Sequence, residues 1–199
     1  MTFDTHAFWR NPDASDRPDS TKAMCRPDYY IGLNDITALI VEVLSEHLDK
    51  GDSIIELGAG TGRNLAGLKD AGFKRLRGIE INPDAIQLGR KSFQALDGIE
   101  IYCDTVEGAI EVIPHYDCIF TQGLLQHLPP KSDWVHAEIA NRADKLIMLI
   151  ENEKPAGVRS WARNYKDIFE GLGWHEVESR SDTGCKGHAP STIVRVLKK

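Results

Sequence analysis

Three observations predict an α/β domain built on a parallel sheet. Apolar, strand-like runs alternate with stretches of helical periodicity from residue 52 to residue 171. The first such run breaks into a glycine-rich turn that opens a helix, and the second ends in an acid about twenty residues further on. With 199 residues, the chain is the size of one domain and long enough to bury a core.

Ile36, Leu39, Ile40, Val43 and Leu44 recur at helical spacing, so a helix is expected through about Leu48 with Asn34 as its cap. Ser53-Ile54-Ile55-Glu56-Leu57 reads as a buried strand over 52–57, and Gly58-Ala59-Gly60-Thr61-Gly62 as the turn into a helix from about Asn64. A strand over 75–80 ends at Glu80; Asn82 then caps a helix whose first residue is Pro83, a position where the missing N–H has no partner to lose. Strands over 99–103, 116–121 and 145–150 follow, with helices near 133–142 and from about Ser160 to Gly171. Two last strand-like runs, 174–178 and 192–197, flank a polar, glycine-containing loop. Residues 1–33 are irregular and proline-bearing, yet they carry Phe8, Trp9, Tyr29 and Tyr30, and disordered tails are poor in aromatics. This segment is read as a lid or, equally, as a packed arm.

Composition excludes several classes. The formal charge is −6, which supplies no field for holding a phosphate backbone, so nucleic acid is a poor default substrate. The four cysteines, Cys25, Cys103, Cys118 and Cys185, form no Cys-x-x-Cys pair, which fits reduced core thiols in a cytoplasmic protein better than a disulfide frame or a zinc site. No His, Asp or Glu cluster has metal-ligand spacing, and no metal is expected. The start of the chain lacks the pattern of a signal peptide and no run is long enough to span a bilayer, so the expected location is the cytoplasm, away from membranes.

Glycines at alternate positions permit positive φ and leave no Cβ between backbone and ligand, so the turn at 58–62 can hold a nucleotide-like cofactor. The dinucleotide spacing Gly-x-Gly-x-x-Gly fails, because Arg63 stands where the third glycine is required; Gly-x-Gly-x-Gly fits. Glu80, at the end of the second strand, is placed to accept hydrogen bonds from both ribose hydroxyls of an adenosine. Together, Glu56-Leu57-Gly58-Ala59-Gly60-Thr61-Gly62 and Glu80 resemble the class I S-adenosylmethionine-dependent methyltransferases over residues 34–199.

The resemblance implies a three-layer, Rossmann-like α/β/α fold over 34–199, with a seven-stranded, mostly parallel sheet closed by an antiparallel C-terminal pair. It also implies S-adenosylmethionine as cofactor and S-adenosylhomocysteine as product. By the same resemblance the backbone at Gly58, Ala59 and Gly60 lies along the methionine part, Gly62 lets the next helix approach, and Glu56 organises the amino-acid end or only the turn itself. Asp104 takes the position of an acid that bonds the adenine amino group, with the backbone of Thr105 and Val106 beside it, or else is a turn or cap residue. Ile81 lies against an adenine face or in ordinary core, and Tyr30 is the aromatic of the N-terminal segment expected to reach the ligand.

The fourth strand delivers Thr121-Gln122-Gly123-Leu124-Leu125-Gln126-His127-Leu128-Pro129 to the reacting methyl. The Asn/Asp-Pro-Pro-aromatic run of amino methyltransferases is absent, and Thr121 and Gln122 stand where polyamine synthases place an acid. A hydrophobic pair followed by His-Leu resembles the small-molecule branch. His127 is therefore the candidate for a substrate-facing catalytic histidine, with a buried structural histidine as the other reading. His188 also has access to the acceptor in this reading; His115 and His136 have weaker claims. The interval after the fifth strand is too short for a large insertion, leaving residues 1–33 and the loop 181–188 to cover the substrate. The expected function is methyl transfer to a small molecule such as a sugar, a carboxylate or a natural-product intermediate. A non-catalytic cofactor-binding module and a protein or peptide methyltransferase are the alternatives; oligomeric state is not readable from sequence.

Overall fold

A computed structural model describes residues 4–12, 25–155, 159–181, 183–185 and 188–199. In chain order the elements are α1 (Thr5–Arg10), α2 (Pro27–Tyr30), α3 (Asn34–His47), β1 (Ser53–Leu57), α4 (Arg63–Asp70), β2 (Arg75–Glu80), α5 (Pro83–Ser92) and β3 (Glu100–Cys103). They continue with α6 (Val106–Ala109), β4 (Tyr116–Gln122), α7 (Val135–Arg142), β5 (Ala143–Asn152), α8 (Tyr165–Gly171), β6 (His175–Arg180) and β7 (Thr192–Lys198).

The strands form one seven-stranded sheet in the order β3-β2-β1-β4-β5-β7-β6. The pairs from β3 through β5 are parallel, and β7 runs antiparallel to both β5 and β6. Alternation along the strands sends neighbouring residues to opposite faces. Ile54, Phe120 and Met148 join Ile36, Ile40 and Leu44 of α3 and Leu65 of α4 in one apolar layer. Ile55, Ile119 and Leu149 join Ile110, Ile139 of α7, and Tyr165 and Phe169 of α8 in the other. Because the strand order reverses between β1 and β4, their carboxyl ends diverge and open a crevice, the usual ligand position in a sheet of this kind.

Several local expectations are corrected. Asn34 is the first residue of α3, and no side chain caps that helix. Asn82 does cap α5, accepting from the N–H groups of Asp84 and Ala85 at 2.9 and 3.3 Å. The last helix begins at Tyr165 instead of Ser160, with Asn164 as its cap. The segment before it is drawn along the loop after β4: Trp161 N–H donates to the Gln126 carbonyl at 2.8 Å, and the Arg163 guanidinium donates to the carbonyls of Leu125 and Leu128 at 3.1 and 2.8 Å. The N-terminal segment, read as irregular, contains α1 and α2, while residues 1–3 and 13–24 lie outside the described residues. Of the cysteines placed in strand-like runs, Cys118 is buried but Cys103, at the end of β3, is exposed.

Candidate active site

A cavity of about 480 Å³ occupies the crevice, within the size range of small-molecule sites. Its walls come from the ends of β1, β2, β4 and β5, and from α1 and α2 through His6, Trp9 and Tyr30. Of the residues singled out in sequence, Tyr30, Glu56, Gly58, Ala59, Gly60, Glu80, Ile81, Asp104, Thr105, Gln122, His127 and His188 all line it. Gly62 does not. It sits behind the wall at the start of α4, where a Cβ would approach Leu96 and Ile101 to 3.0 and 3.1 Å, so its lack of a side chain serves packing.

The glycine turn has φ of 74°, 55° and 72° at Gly58, Gly60 and Gly62, values that disfavour any other residue. A Cβ on Gly60 would project into open space, with nothing within 4 Å, so this part of the wall is bare backbone. Gly89 on α5 was not anticipated. A Cβ there would collide with the carbonyl oxygen of Thr61, so a bare helix face is what allows α5 to lie against the turn.

Glu80 closes the turn from the other side. Its Oε2 accepts from Gly60 N–H at 2.7 Å and its Oε1 from Asn82 N–H at 2.8 Å, and the residue lines the cavity. Burial raises its pKa, against backbone hydrogen bonds that lower it. Glu56 is more unusual. Asn64 Nδ2 donates to its Oε1 at 2.7 Å, while Oε2 is buried without a hydrogen-bond partner. Burial pushes this carboxyl up to about 8, with Asn64 and Arg63 opposing. Asp104 Oδ1 accepts from Thr105 N–H at 2.7 Å, and the capping of α6 falls to Thr105, whose hydroxyl accepts from Gly108 N–H at 2.9 Å.

Arg63, which in the sequence only breaks a glycine pattern, proves to be a buried hub. It donates to Thr37 Oγ1 at 2.8 Å, to Asn64 Oδ1 at 3.1 Å and to the Tyr30 carbonyl at 2.7 Å, tying α2 and α3 to the cavity floor. It also reaches Gln122 Oε1 at 3.4 Å, which turns the Gln122 amide nitrogen toward His188 Nε2, again at 3.4 Å. The position directly after the glycines was the available signal.

The environment of His127 settles its tautomer. Gln126 Oε1 accepts from Asn152 N–H at 2.7 Å, so the Gln126 amide nitrogen faces His127 Nε2 at 3.0 Å and donates to it. The imidazole hydrogen is then on Nδ1, donating to the Arg159 carbonyl at 2.7 Å. Trp9 packs on the ring at 4.7 Å between centroids. Burial pushes the imidazole down to about 4, the Arg159 charge acting in the same direction. A neutral ring with both nitrogens committed is a poor general base, which favours the structural reading of His127 over the catalytic one. Behind it Glu151, also unread in the sequence, accepts from Thr121 Oγ1 at 2.8 Å, Leu124 N–H at 3.0 Å and Gln126 N–H at 3.2 Å, and so shapes the loop after β4.

Outside the cavity, Glu46, His47 and Glu178 bring potential metal-ligating atoms within 4.8 Å of one another, across a sequence distance that no spacing argument reaches. Arg180 lies 2.7 Å from Glu178 and 3.8 Å from Glu46, so a cation already occupies the neighbourhood of both carboxylates. Among the described residues, no helix is long and apolar enough to cross a membrane.

Residues 54–143 match the family described as a methyltransferase domain. No curated protein matches the chain in sequence. Among solved structures, the chain is similar to magnesium protoporphyrin IX methyltransferase from Synechocystis PCC 6803 with bound SAH (TM-score 0.69, 12% identity, covering 98% of this chain and 100% of that one). It is also similar to the mitomycin 7-O-methyltransferase MmcR (TM-score 0.67, 16% identity, 99% and 61%) and to TehB from Haemophilus influenzae (TM-score 0.66, 13% identity, 81% and 62%). At such identities the likeness is one of fold.

Proposed function

We infer that this chain, which carries a class I S-adenosylmethionine-dependent methyltransferase domain, transfers the methyl group to a small molecule enclosed between the sheet and its N-terminal helices. The observation that carries the reading is the buried, unpartnered Oε2 of Glu56, a residue that lines one cavity with the bare backbone of Gly60 and with Glu80. An orphaned acceptor of this kind is costly unless a ligand supplies a donor, and the cofactor's ammonium is one. Glu80 is proposed to hold the ribose hydroxyls, Asp104 and the Thr105 backbone the adenine edge, and Ile81 an adenine face. Gly58, Ala59 and Gly60 are proposed to lie along the methionine part, with Tyr30 and Gln122 bounding it.

S-adenosylmethionine supplies an activated methyl on a sulfonium and leaves as S-adenosylhomocysteine. What remains for the protein is alignment and exclusion of water. Gln122, Leu124 and the Gln126–His127 pair shape the wall where the acceptor lies, and α1 and α2 cover it. A cavity of about 480 Å³ supports a small acceptor over a protein chain, and two structural neighbours, the magnesium protoporphyrin IX methyltransferase and the mitomycin 7-O-methyltransferase, are named for small molecules. Titration calorimetry tests the site: Glu80→Ala removes a charged acceptor for two hydroxyls and should weaken S-adenosylhomocysteine binding about tenfold or more. Unchanged affinity would remove Glu80 from the site.

A further inference from the structure

Trp9 sets α1 against the site, its ring resting on His127 at 4.7 Å between centroids. His6 stands three positions earlier on the same helix, a separation that puts two side chains on one face. His6, Trp9 and His127 all line the cavity, as does Glu107 of α6. His6 Nε2 meets Glu107 Oε1 at 2.8 Å, and Ser132 Oγ, on the connection between β4 and α7 that also carries His127, donates to the same oxygen at 2.8 Å. The Glu107 carboxylate is thus held from two sides, and it ties α1 and α6 to that connection.

This pairing fixes the tautomer of His6. A carboxylate only accepts, so the imidazole hydrogen is on Nε2 and Nδ1 keeps a lone pair. That nitrogen has no hydrogen-bond partner among the described residues. The cavity's other histidines are committed at both nitrogens: His127 to Gln126 and the Arg159 carbonyl at 3.0 and 2.7 Å, and His188 to Gln122 and Thr183 at 3.4 and 3.1 Å. A neutral imidazole is ordinarily about two pH units more basic than a carboxylate, so within the pair the ring is the group that takes a proton. The His6 side chain is 35% exposed, which gives a proton taken up there a route to water.

We propose that His6 is the general base of the transfer, that Glu107 is its positioning residue, and that the acceptor is a small molecule methylated on a hydroxyl. The proposal rests on the methyltransferase reading above and names its base and its acceptor atom. The hydroxyl oxygen forms the bond to the methyl carbon as the carbon–sulfur bond breaks, and that bond's electron pair goes to sulfur. The hydroxyl proton passes to Nδ1 of His6, and the Glu107 carboxylate offsets the charge of the imidazolium that results. The sulfonium's positive charge therefore ends on the ring and leaves with the proton to water. The products are a neutral methyl ether and a neutral thioether.

The test incubates the full chain with methyl-labelled S-adenosylmethionine and the small-molecule fraction of a cell extract. The expected product keeps its label in mild alkali, which hydrolyses methyl esters, and releases it as methyl iodide in hot hydriodic acid, which cleaves methyl ethers but not methylamines. His6→Ala should lower this transfer about 100-fold or more, and added imidazole should restore part of it. Glu107→Gln, which removes the charge and keeps the shape, should lower maximal turnover about tenfold with the half-saturating amount of extract unchanged. Both variants should bind S-adenosylhomocysteine as the parent does; if His6→Ala melts well below the parent, Glu107→Gln carries the test. A readout free of turnover is imidazole NMR of histidine-labelled protein, in which the ring signals lost in His6→Ala should report a hydrogen on Nε2 and a bare Nδ1. The reverse tautomer, full turnover of either variant, a loss in folded His6→Ala that imidazole leaves unrelieved, or label released by alkali or retained in hydriodic acid would overturn the proposal and leave the methyltransferase reading intact. No transfer to any component by a chain that binds S-adenosylhomocysteine would overturn both.

Discussion

Burial drives Glu56 and His127 in opposite directions on the pH scale, the carboxyl up to about 8 and the imidazole down to about 4, and each is thereby kept neutral. For Glu56 the folded value lies above the ordinary 4.5, so its contribution to stability is present below about 4.5 and is lost as pH rises through about 8. Glu56→Gln should flatten that decline in thermal melts. A ligand ammonium beside Oε2 favours the carboxylate, so S-adenosylhomocysteine binding near pH 7 should release a proton. Calorimetry in buffers of different ionisation enthalpy reads the release directly, and Glu56→Gln should abolish it. For His127 the folded value lies below 6.5, so its contribution is present above 6.5 and is lost as pH falls through about 4. His127 should contribute no inflection to turnover near 6.5. His127→Ala, which removes links to Gln126 and the Arg159 carbonyl, should cost about 1–3 kcal/mol in urea titrations with cofactor affinity nearly intact. A 100-fold loss of turnover at unchanged stability would instead restore the catalytic role.

At the level of elements, the cavity depends on how closely helices approach the glycine turn. α5 lies against the turn only because residue 89 has no Cβ. Gly89→Ala should push the helix outward, costing about 1–3 kcal/mol as other overpacked sites do, and should weaken cofactor binding because α5 follows directly from Glu80 and Asn82. Denaturant melts and calorimetry on the one variant check both; a neutral substitution would mean that the helix shifts freely. The strands and α5 were legible because alternation, Pro83 and Asn82 are local signals. The late start of α8 was not, because what holds Trp161 and Arg163 out of a helix is a set of carbonyls more than thirty residues earlier.

Across the whole molecule, the two N-terminal helices and the sheet share one cavity. Phe8 is buried, Trp9 packs on His127, and Arg63 holds the Tyr30 carbonyl, so the segment is anchored at both ends of the described part. If it opens for ligand entry, amide exchange in residues 4–12 and 25–33 should slow several-fold when S-adenosylhomocysteine saturates the site. Equal exchange with and without ligand would make the segment a fixed arm.

The sequence by itself determined the sheet's parallel half, the turn at 58–62 and the acid at Glu80, since each is written in residues adjacent along the chain: alternating apolar positions, spaced glycines, a strand end. Only the tertiary structure decided which atoms remain unsatisfied. That Glu56 keeps a buried oxygen without a donor, and that Asn152 N–H turns the Gln126 amide onto the lone pair of its neighbour His127, follow from how segments far apart in sequence pack together. Periodicity reports which way a side chain faces, whereas protonation and hydrogen-bond satisfaction depend on everything packed around it, and the sequence does not order those neighbours until the chain has folded.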